Sequence, residues 1–145
     1  MTKAELLLDT LKYYSADINR RCKSRGGCWY SPLKAGKVRS SKGCAIGRHL
    51  KPTVQHLFDA CKNTSIDAVL QEKKSYKKRL PTWMQKLSID FLVEIQSLHD
   101  TDHNWTSYGL SPSGKDKVFF IMKDYSIRKT TAFKKYLPKY NPTCV

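Results

Sequence analysis

Acidic residues are scarce: 12 Asp and Glu stand against 27 Lys and Arg, a formal net charge of +15 over 145 residues. Over one interval they are missing altogether. No Asp or Glu occurs from Ile18 to Phe58, whereas Arg20, Arg21, Lys23, Arg25, Lys34, Lys37, Arg39, Lys42, Arg48 and Lys51 all fall there. Such an imbalance speaks of partners rather than fold, because self-repulsion opposes compaction and an anionic partner relieves it. Long apolar runs are absent too. None approaches the ~18–20 residues that a bilayer span needs, so no membrane partner is expected. The opening Met1-Thr2-Lys3-Ala4-Glu5 lacks the apolar stretch of a signal peptide, and the expected compartment is the cytoplasm. Cysteines are few and odd in number: Cys22, Cys28, Cys44, Cys61 and Cys144. That argues against a closed disulfide framework and for reduced thiols. No P-loop, nucleophile elbow, Rossmann fingerprint or H-E-x-x-H helix occurs. Enzymatic activity therefore has no motif to rest on, and no cofactor is expected.

What is present suffices for one core, with 40% hydrophobic and 11% aromatic residues at a length typical of a single domain. The pattern predicts an α+β fold, a mainly helical single domain over residues 1–128 with a small N-terminal β-hairpin. Residues 129–145 read as a basic, flexible C-terminal tail. Thr2 and Glu5 fit a capping box that starts a helix over about residues 3–15, with Leu7, Leu8, Leu11 and Tyr14 at helical spacing. The glycines and turn residues from Asn19 to Lys51 predict the hairpin. With its loop near Gly36, Cys28 falls opposite Cys44 and Tyr30 opposite Lys42. Pro52 suits the first turn of a helix carrying Val54, Leu57, Phe58 and Cys61. Asn63-Thr64-Ser65 ends it, and Thr64 with Asp67 starts another, which Pro81 stops. Thr82 and Gln85 form a further capping box, and the apolar spacing predicts one central core helix over 83–99. Ser113 with Asp116 caps a last helix through Val118, Ile121, Met122 and Tyr125, with a strand at Val118–Met122 as the rival assignment.

Three basic clusters are candidates for binding an anion. In the acid-free interval, Arg20, Arg21, Lys23, Arg25, Lys37, Arg39, Lys42 and Arg48 suit a phosphate backbone, because guanidinium groups fork onto phosphate oxygens. Trp29 and Tyr30 among them are candidates for stacking on a base, while at least one of the two is expected to anchor on the core. Lys73, Lys74, Lys77, Lys78 and Arg79 follow a helix, where they favour the macrodipole or bind an anion. In the tail, Arg128, Lys129, Lys134, Lys135 and Lys139 with Phe133, Tyr136 and Tyr140 resemble a nucleic-acid arm or a solubilising extension. No metal site is assigned. The alternative set Cys22, Cys28, Cys44 and His49 lacks the tight pairs usual for structural zinc, and Cys28 and Cys44 also read as small buried hydrophobes. His99-Asp100-Thr101-Asp102-His103 could share protons or hold a metal, or His99 could simply favour a helix C-terminus.

Gly43-Cys44-Ala45-Ile46-Gly47-Arg48-His49-Leu50, preceded by Cys28-Trp29-Tyr30, resembles a pattern of small proteins of tailed phages and prophages. Phe91 to Asp100, then Asn104-Trp105 and Gly109-Leu110-Ser111, resemble its second half, so the likeness spans residues 5–125. It implies a host-directed role in the host cell cytoplasm, such as modulating nucleic-acid machinery or countering a defence system. Together with the charge, it predicts a non-enzymatic accessory protein that binds a polyanion, nucleic acid first, through a basic surface. Two alternatives stay open: a sponge for a nucleotide signal held by Arg48, Arg39 and Trp29, and an inhibitor docking on an acidic host protein. The oligomeric state is not legible.

Overall fold

Thr2 starts the first helix as its sequence implies. Its hydroxyl accepts the Glu5 N–H at 3.2 Å, and its own N–H donates to Glu5 Oε2 at 2.7 Å. These reciprocal bonds satisfy two orphan donors of α1, Lys3–Ala16. The computed structural model describes residues 1–21, 23–24, 27–34, 37–38 and 43–137, with the backbone alone at 18, 23–24, 27–28, 33–34 and 37–38.

After α1 come the two-residue strands β1 (Lys23–Ser24), β2 (Gly27–Cys28), β3 (Leu33–Lys34) and β4 (Lys37–Val38). They pair locally, Lys23 with Cys28 and Leu33 with Val38. The expected long hairpin is thereby corrected: Cys28 faces Lys23 rather than Cys44, while Lys42, expected opposite Tyr30, lies outside the described residues. The antiparallel pair with described side chains lies much later, β5 (Trp105–Thr106) with β6 (Gly109–Leu110).

The helices supply the core. α2 spans Pro52–Asp59 with Pro52 in its first turn, α3 spans Ile66–Glu72, and a 3-10 helix follows over Lys74–Arg79. α4 (Thr82–Gln85), α5 (Ile89–Asp100), α6 (Pro112–Asp124) and α7 (Thr131–Lys134) complete the order. Helix α5 packs against α1, α3 and α6, burying Phe91, Leu92, Ile95 and Leu98. Leu6, Leu7, Leu11 and Tyr14 from α1 meet it, as do Ile66 and Val69 from α3 and Val118 and Ile121 from α6. Among the described residues, no helix is long and apolar enough to cross a membrane.

Four local expectations are corrected. The helix expected over 83–99 is broken, because Ser88 is extended at ψ 145° and α5 restarts after it. Gln85 closes no capping box; its amide reaches back to the Leu80 carbonyl at 2.7 Å. Thr64 and Asp67 make no box either. Instead Gln96 of α5 accepts the Ile66 N–H at 2.8 Å and donates to the Thr64 carbonyl at 2.8 Å, so a distant amide caps α3. The cap of α6 is Ser111, whose hydroxyl accepts the Gly114 N–H at 3.0 Å, rather than Ser113. Val118–Met122 is helical. Beyond residue 128 the chain forms α7, and Phe133 and Leu137 join the core.

Candidate functional site

Arg48 and His49 follow the tight turn Gly43–Gly47, which is packed under the backbone of Tyr30. A Cβ at Gly47 would lie 2.2 Å from the Tyr30 carbonyl oxygen, and one at Gly43 2.0 Å from it. This seating aims Arg48 at α1, where its guanidinium pairs with Asp9 and lies 4.6 Å from the ring centroid of Tyr13. The Arg48 side chain is only 8% exposed. His49 Nε2 stands 3.3 Å from the same Asp9 carboxylate, and its ring meets Trp83 edge-on at 5.5 Å. Burial, then the neighbouring Arg48 charge, lowers the His49 pKa to about 4 against the pull of Asp9. The imidazole is therefore neutral near pH 7 and adds no charge.

The other described arginines of the acid-free interval are also engaged. Arg21, with a side chain 6% exposed, donates to the His99 carbonyl at 2.8 Å and to Asp102 at 3.1 Å. Arg20 lies over the Tyr13 ring at 5.0 Å, with its Nε 4.0 Å from Asp17. A shared open cationic surface of Arg20, Arg21 and Arg48 is thus not what the fold builds. Because a guanidinium leaving water needs both an opposite charge and acceptors, carboxylates distant in sequence draw Arg21 and Arg48 inward, while Arg20 stays partly exposed beside Asp17.

Tyr30 is likewise corrected as a stacking residue: it is fully buried, its hydroxyl donates to the Thr64 carbonyl at 2.7 Å, and its ring meets Phe58 edge-on. It is the core anchor expected of the Trp29-Tyr30 pair. Trp29 is half-buried, and its carbonyl accepts the Cys44 N–H at 2.9 Å. Cys22, Arg25, Arg39 and Lys42 lie outside the described residues, as do the side chains of Lys23, Cys28, Lys34 and Lys37 and, in the tail, Lys139 and Tyr140. Of the alternative zinc set, Cys44 is buried with its Sγ accepting the Gly47 N–H at 3.2 Å, and His49 faces Asp9. Among the described residues, no three His, Cys, Asp or Glu side chains gather as metal ligands.

The histidine pair does not share a site. His99 is fully buried, with Nδ1 2.6 Å from Asp100 and its ring 4.6 Å from that of Tyr14, whereas His103 is exposed. In the tail, Phe133 is spent on the core rather than offered to a base.

The second cluster remains open to solvent. Lys73, Lys74, Lys77, Lys78 and Arg79 are all exposed. Lys74 to Arg79 form the 3-10 helix rather than the end of α3. With three residues per turn, positions i and i+3 eclipse. Tyr76 and Arg79 therefore share one ridge, with the guanidinium 5.8 Å from the ring, and Tyr76 stacks on Phe58 at 5.6 Å and 8°. Lys74 and Lys77 share the next ridge and Lys78 the third, which face water. The one carboxylate paired within this cluster, among the described residues, is Glu72, 4.0 Å from Lys73 with both groups exposed; such a contact is screened and weak.

Sequence reading alone missed Asp9 and Asp59. A signal for Asp9 was available, since Asp9 and Tyr13 are four apart and share one face of α1.

Comparison with known proteins finds no matching family model, no matching curated protein and no matching solved structure.

Proposed function

We propose that this protein is a non-enzymatic binder of a polyanion, nucleic acid foremost, through the basic surface of residues 73–79. The observation that carries this is the exposure of Lys74, Lys77, Lys78 and Arg79 on one short 3-10 helix anchored by Tyr76, with Lys73 just before it and Glu72 the one acid paired with the cluster among the described residues. Cations held at short spacing on a rigid segment neutralise neighbouring phosphates and release their counterions. The buried Arg21 and Arg48 have the opposite character and belong to the fold. With the likeness to phage proteins, the role is that of an accessory factor acting on host nucleic-acid machinery or host defence.

Binding to a labelled duplex and a labelled single strand at two salt concentrations tests the proposal. Affinity should fall steeply with salt, with a slope of about 0.9 per phosphate neutralised on duplex. A Lys74→Ala, Lys77→Ala, Lys78→Ala variant should lower that slope by about three contacts. An unchanged slope in a folded variant, or no binding at low salt, overturns it.

A further inference from the structure

A pocket of about 290 Å³ opens where the end of α1, the β5–β6 turn, the first turn of α6 and the segment after α7 converge. Ser15, Tyr108, Gly109, Lys115, Lys135 and Tyr136 line it, and among the described residues no carboxylate does. Lys115 is half-buried and Lys135 exposed, with the Lys135 ammonium 5.8 Å from the Tyr136 ring. At the floor, the Ser15 hydroxyl oxygen is buried without a hydrogen-bond partner among the described residues. Gly109, at φ +110°, turns the hairpin directly above it, its Cβ position 3.5 Å from Ser15 Oγ. The hairpin tip carries Tyr108, which is 97% exposed. A large aromatic ring left wholly in water adds nothing to the core, and rings so displayed are common anchors for planar ligands.

We propose that this pocket binds a nucleoside phosphate monoester, with the phosphoryl group between the Lys115 and Lys135 ammonium groups and the base against Tyr108. Two cations in a lining that holds no carboxylate among the described residues select a dianion over a singly charged group, and a phosphate monoester carries about −1.5 to −2 at neutral pH. The flanking rings select a planar substituent. The volume lies at the lower edge of the roughly 300–1,000 Å³ of small-molecule sites, which admits one nucleotide and not a length of strand. A free mononucleotide and the 5′-phosphorylated end of a strand present the same group. The proposal does not rest on residues 73–79.

Titration calorimetry with adenosine 5′-monophosphate, adenosine and inorganic phosphate tests it on the full chain. The monophosphate should bind at least about tenfold more tightly than either fragment. Lys115→Ala, Lys135→Ala should weaken it about tenfold or more, and Tyr108→Ala several-fold, while the Lys74, Lys77, Lys78 variant leaves it unchanged. Tyr108 and Lys135 are exposed, so Tyr108→Ala, Lys135→Ala serves if loss of Lys115 disturbs folding. A 5′-phosphorylated oligonucleotide competing where its 5′-hydroxyl counterpart fails assigns the site to strand ends; competition by the free nucleotide alone assigns it to free nucleotides. No binding of the monophosphate at millimolar concentration, or binding indifferent to these substitutions, overturns the proposal.

Discussion

Tyr30 and Asp59 fasten the acid-free segment to the end of α2: the Tyr30 N–H donates to Asp59 Oδ1 at 2.7 Å, while the adjacent Ser31 N–H donates to Oδ2 at 3.0 Å. Both carboxylate oxygens thus accept backbone donors that form no strand pairing. Charge-assisted bonds of this kind exceed neutral ones in strength. Asp59→Ala should destabilise the fold by about 2–3 kcal/mol, and Asp59→Asn, which keeps one acceptor, by about half as much. Urea denaturation of the three proteins checks the order.

Asp9→Asn leaves the Arg48 guanidinium in place with its paired charge removed. Breaking a buried pair from one side costs about 3–5 kcal/mol when both groups are inside. The Asp9 side chain is 35% exposed, so a loss of about 2–3 kcal/mol is expected. A double-mutant cycle with Arg48→Met should recover part of it, because the stranded charge is then gone.

Acidification should weaken the protein through His49. Its folded pKa of about 4 lies below the ordinary 6.5, so between these values the unfolded chain binds the extra proton. The His49 contribution is fully present above pH 6.5 and is lost as pH falls toward 4, with a slope of at most about 1.4 kcal/mol per pH unit. His49→Gln should flatten this part of the stability profile. An equal slope in both proteins would assign the acid sensitivity elsewhere.

Gly47→Ala should be disruptive although alanine is the smallest change available. Its Cβ would sit 2.2 Å from the Tyr30 carbonyl oxygen and 2.5 Å from Tyr30 Cα, atoms of backbone that cannot rotate aside. A loss of about 3 kcal/mol is expected, read as a drop in melting temperature. The Gly43–Leu50 motif is on this account a structural turn that delivers Arg48 and His49 to α1.

The legible parts of the fold were those decided within a few residues. The Thr2–Glu5 cap, Pro52 in a first turn, and the apolar stripes of α1, α3 and α6 follow from local hydrogen bonding and helical periodicity. The exposed run Lys73–Arg79 was legible as a charge cluster, although its 3-10 winding was not. Arg21 and Arg48 were legible as cations, whereas their burial against Asp102 and Asp9 was not.

By itself, the sequence determined the excess of positive charge, the helical periodicity and the caps whose donor and acceptor are neighbours along the chain. Only the tertiary structure decided which cations stay in water. Arg48 meets Asp9 across 39 positions and Arg21 meets Asp102 across 81, and Gln96 caps α3 from 30 positions away. The reason is physical: a charge or amide drawn out of water takes whatever partner the packed chain brings within about 3 Å, and sequence spacing carries no record of that encounter.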